Sequence, residues 1–336
     1  MNKLLHIAHT EPEKRVWIPA FIEALEQIGD LKIIRNGREL ADQECAEHIR
    51  QCNTLITSWS ARRVPVSIAA DPGEMGYICH VNGTVRQFIP IELVEAGIPV
   101  TNWGDTPANG IAEGAMVLLL AMLKNLRYRV EVVQNDGWRP APESFSGTLE
   151  GMNVGIYGFG VIGRRFLEML RPFHSIIRIF DPYVPNVPDD CIQVNSMEEL
   201  FGQSEAIVVH AGLSDETRDS VTAELLAMLP DNGIIINTAR GGIIHQASLF
   251  AELESGRLLA GLDVLEPDRL PGGHPAKKWP NVIFTAHNIG KEYPAGSPRS
   301  LELGPMHKVC LENVKRYING ESLKFVMDRV RYQRST

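Results

Sequence analysis

Glycines 158, 160 and 163, in "VGIYGFGVIGRR" (154–165), stand in the order G-x-G-x-x-G. That spacing can hold the pyrophosphate of a dinucleotide if a strand precedes it, a helix follows and an acid lies about 20 residues on. Each part can be read here. Val154, Gly155, Ile156 and Tyr157 form a strand, "RRFLEMLRPF" (164–173) sets Phe166, Leu167 and Leu170 on one side of a helix, and Asp181 ends the next strand. Gly158 permits the turn, Gly160 lets backbone approach phosphate, and Gly163 lets helix and strand pack closely. The pyrophosphate then meets the positive end of the helix at Val161 and Ile162. Asp181 can accept hydrogen bonds from ribose hydroxyls and would repel a 2′-phosphate, so NAD is expected rather than NADP.

The elements that must position this loop alternate along the chain. Strands are expected at 4–8, 31–35, 54–58, 77–81 and 98–102, with helical spacing at 17–29 and 38–52. A polar, turn-rich hinge follows at 102–110. Residues 111–134 then read as one long helix, apolar over more than one stripe and so expected to bury against more than its own domain. A second series has strands at 153–157, 175–181, 206–211, 233–239, 258–264 and 281–286, and the chain closes on a helix at 303–320. Such alternation predicts an α/β protein of two doubly wound parallel-sheet domains.

Composition narrows the classes. The 336 residues suffice for two domains, and 44% hydrophobic content with mixed charge fits a soluble globular protein. A net charge of −8 argues against a nucleic-acid surface. Five scattered cysteines without a C-x-x-C pair predict reduced thiols and no metal site. The apolar run at 116–123 is too short for a membrane span, and the start turns polar too soon for a signal peptide. A cytoplasmic location is expected.

Downstream segments carry a family resemblance. "NTARGGIIHQASL" (237–249), "GLDVLEPDRLPGGHP" (261–275), "NVIFTAHNIG" (281–290), "GIAEGAMVLLLAML" (110–123), "FDPY" (180–183) and "ENVKRYINGE" (312–321) together resemble the D-isomer-specific 2-hydroxyacid dehydrogenases. The resemblance implies a Rossmann-type cofactor domain (104–290) inserted into a discontinuous substrate domain (1–103 and 291–336). It also implies a homodimer formed through the long helix, with Trp138 near the interface.

The same resemblance implies a catalytic set. Hydride transfer between a 2-hydroxy acid and nicotinamide needs a cation for the carboxylate and carbonyl, a base for the hydroxyl proton, and a partner to orient that base. Arg240 is similar to the family's substrate-binding arginine, and its planar fork suits a carboxylate beside a carbonyl. His287 is similar to the catalytic histidine, able to give or take a proton near neutral pH. Counting from Asp263 without a gap puts Asp268 at the place of the histidine's acidic partner, whereas a two-residue shift selects Glu266. His210 and Thr238 match cofactor neighbours, and Asp263 matches the residue near the nicotinamide carboxamide. Asn82, Gly83 and Thr84 resemble a loop that holds the substrate carboxylate.

Departures from the pattern are informative. His245 stands where the family has a helix-capping aspartate and is expected to be a loop or cap variant. Gly114 replaces a frequent histidine. "TSWSARR" (57–63) lacks the in-register arginine–serine pair of phosphoglycerate-type members, and an added regulatory domain is not expected. The expected function is NAD-dependent interconversion of a D-2-hydroxy acid and a 2-ketoacid, with 2-ketoacid reductase as an expected physiological role. The competing class is an NAD(H)-sensing corepressor on the same fold, and a formate- or phosphite-type dehydrogenase is a third reading.

Overall fold

The computed structural model describes residues 2–139, 141, 146–290 and 301–334. The chain divides into two compact units, Met1–Thr106 with Tyr293–Thr336, and Pro107–Glu292. The expected domain boundary at 290/291 opens onto 291–300, outside the described residues.

In the first unit, strands β1 (Lys3–Ile7), β2 (Asp30–Ile34), β3 (Thr54–Thr57), β4 (Tyr77–His80) and β5 (Val100–Thr101) form a parallel sheet in the order β2-β1-β3-β4-β5. Side chains alternate between its faces. Leu5, Leu55, Ile78 and Val100 join one buried cluster, while Leu4, Ile56, Tyr77 and Cys79 join another. Helices α1 (Pro19–Glu26), α2 (Asp42–Arg50) and α3 (Ile91–Glu95) lie between the strands in sequence.

In the second unit, β6 (Asn153–Tyr157), β7 (Ile176–Phe180), β8 (Ile192–Gln193), β9 (Ala206–Val209), β10 (Ile234–Asn237), β11 (Leu259–Leu262) and β12 (Val282–Phe284) are all parallel. Their order is β12-β11-β10-β9-β6-β7-β8, so the winding reverses between β6 and β9. Open α/β sheets bind ligands at the carboxyl ends of strands at such a reversal. Buried Val154, Ile156, Val208 and Ile236 pack on one face of the sheet, and Ile207, Val209 and Ile235 on the other. The short edge strand β8 carries little apolar pattern and was not expected.

The long helix of 111–134 is a correction. Helix α4 (Ala108–Leu123) and helix α5 (Leu126–Gln134) are separate and bent by 62°. Asn125 breaks them by adopting the left-handed conformation (φ 47°), which an asparagine tolerates better than most residues. Helix α4 is buried within its own unit, against α6 (Val161–Leu170), β10 and β11. Helix α5 has no buried residue, and Leu126, Val130 and Val133 are exposed. Among the described residues no single helix is long and apolar enough to cross a membrane.

The remaining helices are α7 (Met197–Gly202), α8 (Ala223–Met228), α9 (Gln246–Glu254), α10 (Pro305–Ile318) and α11 (Arg329–Arg334). The last follows the expected closing helix.

Candidate active site

Strand β6 runs into the glycine loop, and the three glycines serve different needs. Gly158 has φ +93°, and a Cβ there would lie 2.4 Å from the Ala211 nitrogen. A Cβ on Gly163 would lie 2.4 Å from the Gly158 oxygen. At Gly160 a Cβ would meet nothing within 4 Å, so the protein's own packing does not demand that glycine. The open cradle fits close approach by a group from outside the chain. The N–H groups of Val161, Ile162 and Gly163, in the first turn of α6, donate to no described residue. Asp181, just past β7, accepts from the Phe159 N–H (2.7 Å) and the Tyr183 N–H (2.9 Å), which pins its carboxylate beside the loop.

His210 closes the same region from the end of β9. Its N–H bonds the Tyr157 oxygen (2.7 Å) and its ring lies 5.2 Å from that of Phe166. The residue keeps some exposed surface, yet both ring nitrogens are shut from solvent with no partner among the described residues. Burial therefore pushes its pKa down to about 3. The Thr238 hydroxyl is likewise buried without a described partner. Unsatisfied polar atoms are costly, and they cluster at ligand sites because a ligand can satisfy them. The loop, the pinned acid and these polar atoms fit a dinucleotide.

Arg240 lies just past β10 in a turn shaped by buried Asn237. The Asn237 Oδ1 accepts from the Ala239 N–H (3.0 Å), and its Nδ2 donates to the Arg240 oxygen (2.9 Å). Gly241 lets this turn lie against the next loop, since a Cβ would fall 2.0 Å from the Leu265 carbonyl carbon. That contact brings Arg240 towards Asp268, whose charge favours the guanidinium, although burial is the larger effect and lowers the pKa of Arg240. His287 Nδ1 and Asp268 Oδ2 are 2.5 Å apart, each side chain about half exposed. The Glu266 carboxylate lies elsewhere, with Oε2 3.1 Å from where a Cβ on Gly242 would stand, and its N–H donates to Gln246 Oε1 (2.9 Å). The acid that meets the imidazole is thus Asp268.

The His287 loop has unusual backbone. Ala286 and His287 have φ of +52° and +56°, a region that costs most side chains about 1 kcal/mol or more. Asp263, just past β11, faces this loop. Its Oδ1 accepts from Thr285 Oγ1 (2.5 Å), the Asn288 N–H (2.9 Å) and the Ile289 N–H (3.1 Å), and its backbone oxygen accepts from the His287 N–H (2.6 Å). Gly114 of α4 makes room for Ile289, because a Cβ there would lie 2.6 Å from Ile289 Cγ1. Asn237 and the loop-holding side of Asp263 were missed in the sequence, where the only signal was a polar residue at the end of an apolar strand. His245 precedes α9, and its Nδ1 lies 2.6 Å from Ser248 Oγ, with no cap to a backbone N–H.

In the first unit, Asn82 Oδ1 accepts from the Trp59 N–H (3.0 Å), and Asn102 Nδ2 donates to the Gly83 oxygen (2.8 Å). A Cβ on Gly83 would fall 2.5 Å from the Trp103 ring, so the indole requires glycine there. The N–H groups of Gly83, Thr84 and Val85 donate to no described residue. Arg62 turns away from this loop to the Gly37 and Leu40 oxygens and to Asp42.

Fold and site together define a doubly wound dinucleotide-binding protein with a histidine–carboxylate pair and a half-buried arginine. The model of the D-isomer specific 2-hydroxyacid dehydrogenase family, NAD binding domain, matches residues 116–288, and the chain belongs to that family. It is 26% identical to D-3-phosphoglycerate dehydrogenase of Methanocaldococcus jannaschii over 91% of this chain and 57% of that protein. It is 31% identical to human glyoxylate reductase/hydroxypyruvate reductase over 58% of this chain and 62% of that one. The chain thus spans about six tenths of the length of these curated relatives. Among solved structures, D-lactate dehydrogenase from Aquifex aeolicus, complexed with NAD and lactic acid, has a TM-score of 0.72 at 20% identity, covering 95% of this chain and 96% of that one. A glyoxylate reductase from Paecilomyes thermophila has a TM-score of 0.76 at 23% identity, covering 98% and 99%. These likenesses show the shared fold.

Proposed function

We propose that the protein is an NAD-dependent dehydrogenase interconverting a D-2-hydroxy acid and its 2-ketoacid. The main support is that Arg240, Asp268 and His287 converge in the unit that carries the dinucleotide loop. When bound, NAD(H) supplies the hydride acceptor or donor. The Arg240 guanidinium binds the substrate carboxylate and polarises the C2 carbonyl, an electrostatic role that its partial burial strengthens. Asp268 engages His287 Nδ1, which leaves Nε2 for the substrate oxygen. In oxidation, C2 loses hydride, the hydroxyl loses its proton to Nε2, and the carbonyl forms. In reduction, Nε2 returns that proton. In this proposal His210, Thr238 and Asp181 serve the cofactor.

The proposal is tested by measuring NADH oxidation with glyoxylate, hydroxypyruvate, pyruvate, phenylpyruvate and branched 2-ketoacids. Turnover with at least one is expected. NADH binding without turnover across the panel would favour a sensor instead.

A further inference from the structure

We propose that Asp263 is the positioning residue for His287, using one carboxylate oxygen to hold the histidine loop in its left-handed conformation. The inference rests on the dehydrogenase reading and concerns how its proton-transfer group is held. Three donors converge on Oδ1: the Thr285 hydroxyl and the N–H groups of Asn288 and Ile289. These residues flank Ala286 and His287, both at positive φ. The His287 N–H itself bonds the Asp263 backbone oxygen. The residue at 263 therefore fixes the loop on both sides of the imidazole and at its own amide.

Neither residue at positive φ is glycine, so the local chain gives this geometry no help. The Asp268 pair holds only the ring of His287, through Nδ1. Holding the backbone is a separate task, and Asp263 is placed for it at the end of buried β11. Ile289 anchors the far side against Gly114. No hydrogen bond to Oδ2 from a described side chain or backbone group is found, so this oxygen can face the cofactor while Oδ1 serves the loop.

Asp263→Asn and Asp263→Ala separate the two roles, because the amide of asparagine keeps an oxygen acceptor but loses the charge. Hydrogen exchange of the Asn288 and Ile289 amides is read in the full chain without cofactor, together with that of the β11 amides as a check on folding. Asp263→Ala should speed exchange at 288 and 289 by about tenfold or more, since each amide loses its acceptor. The β11 amides should keep their protection, and Asp263→Asn should stay close to the unaltered protein. In turnover, Asp263→Ala should lower kcat by about 100-fold, part of the 10²–10⁴-fold worth of a placed acid–base group. Asp263→Asn should recover a substantial part of kcat, even if NADH binds it less well. Unchanged exchange at 288 and 289 in Asp263→Ala would overturn the proposal, as would equal kcat losses in both variants. If the unaltered protein turned over no 2-ketoacid, the dehydrogenase reading would fail instead, and the exchange measurement would still decide the loop.

Discussion

Replacing Asp268 by asparagine tests the relay directly. The His287–Asp268 contact is 2.5 Å, and both side chains are about half exposed. Hydrogen bonds to charged groups contribute about 1.5–3 kcal/mol, and solvent screening at half exposure places this one near the lower end. A loss of about 1.5–2 kcal/mol from the transition state corresponds to roughly 10- to 30-fold in rate. Asp268→Asn should therefore lower kcat for 2-ketoacid reduction by that factor. The Kd of NADH should change little, because the glycine loop and Asp181 are elsewhere in the unit. Glu266→Gln serves as the comparison, since the Glu266 carboxylate lies beside Gly242 and does not meet the imidazole. Stopped-flow turnover and fluorescence titration of NADH measure the two quantities separately. If Glu266→Gln carried the kinetic defect and Asp268→Asn did not, the relay as drawn would be wrong.

Three further outcomes are expected. Asp181 should make NADH bind more tightly than NADPH, and Asp181→Ser should narrow the difference in paired titrations; tighter NADPH binding by the unaltered protein would contradict this. The exposed Leu126, Val130 and Val133 of α5, with Trp138 at 83% exposure, should form a homodimer contact. Sedimentation should show a dimer at micromolar concentration that Val130→Asp with Val133→Asp dissociates. Burial holds His6, His80 and His210 neutral, with pKa values lowered to about 4, 3 and 3. Their stabilising contribution is present above about pH 6.5 and lost as pH falls towards those values, because the unfolded chain takes up protons first. Each should cost on the order of 1 kcal/mol by pH 5.5, read as a falling denaturation midpoint; a midpoint that stayed level from pH 7 to 5 would refute it.

Much of the fold was legible because apolar runs and turns repeat along the chain, and the glycine loop was legible because its spacing matches its geometry. The break at Asn125 was hidden, since apolar residues continue on both sides and only the left-handed asparagine marks it. The choice between Glu266 and Asp268 was hidden for a different reason. Both acids lie in one short loop, and only the fold shows that the Glu266 carboxylate turns to Gly242 while that of Asp268 meets His287. The work of Asp263 was least visible, because its three donors come from residues 22 to 26 positions away. Such convergence is a property of the folded backbone.

The most direct test of the account follows the hydride itself. The protein would be incubated with NADH carrying deuterium at both C4 positions and a mixture of 2-ketoacids, and the products separated on a chiral column with mass detection. The account predicts a D-2-hydroxy acid containing one deuterium at C2, formed in step with NADH consumption. Deuterium-free hydroxy acid, the L-isomer, or no product from a protein that binds NADH would contradict it.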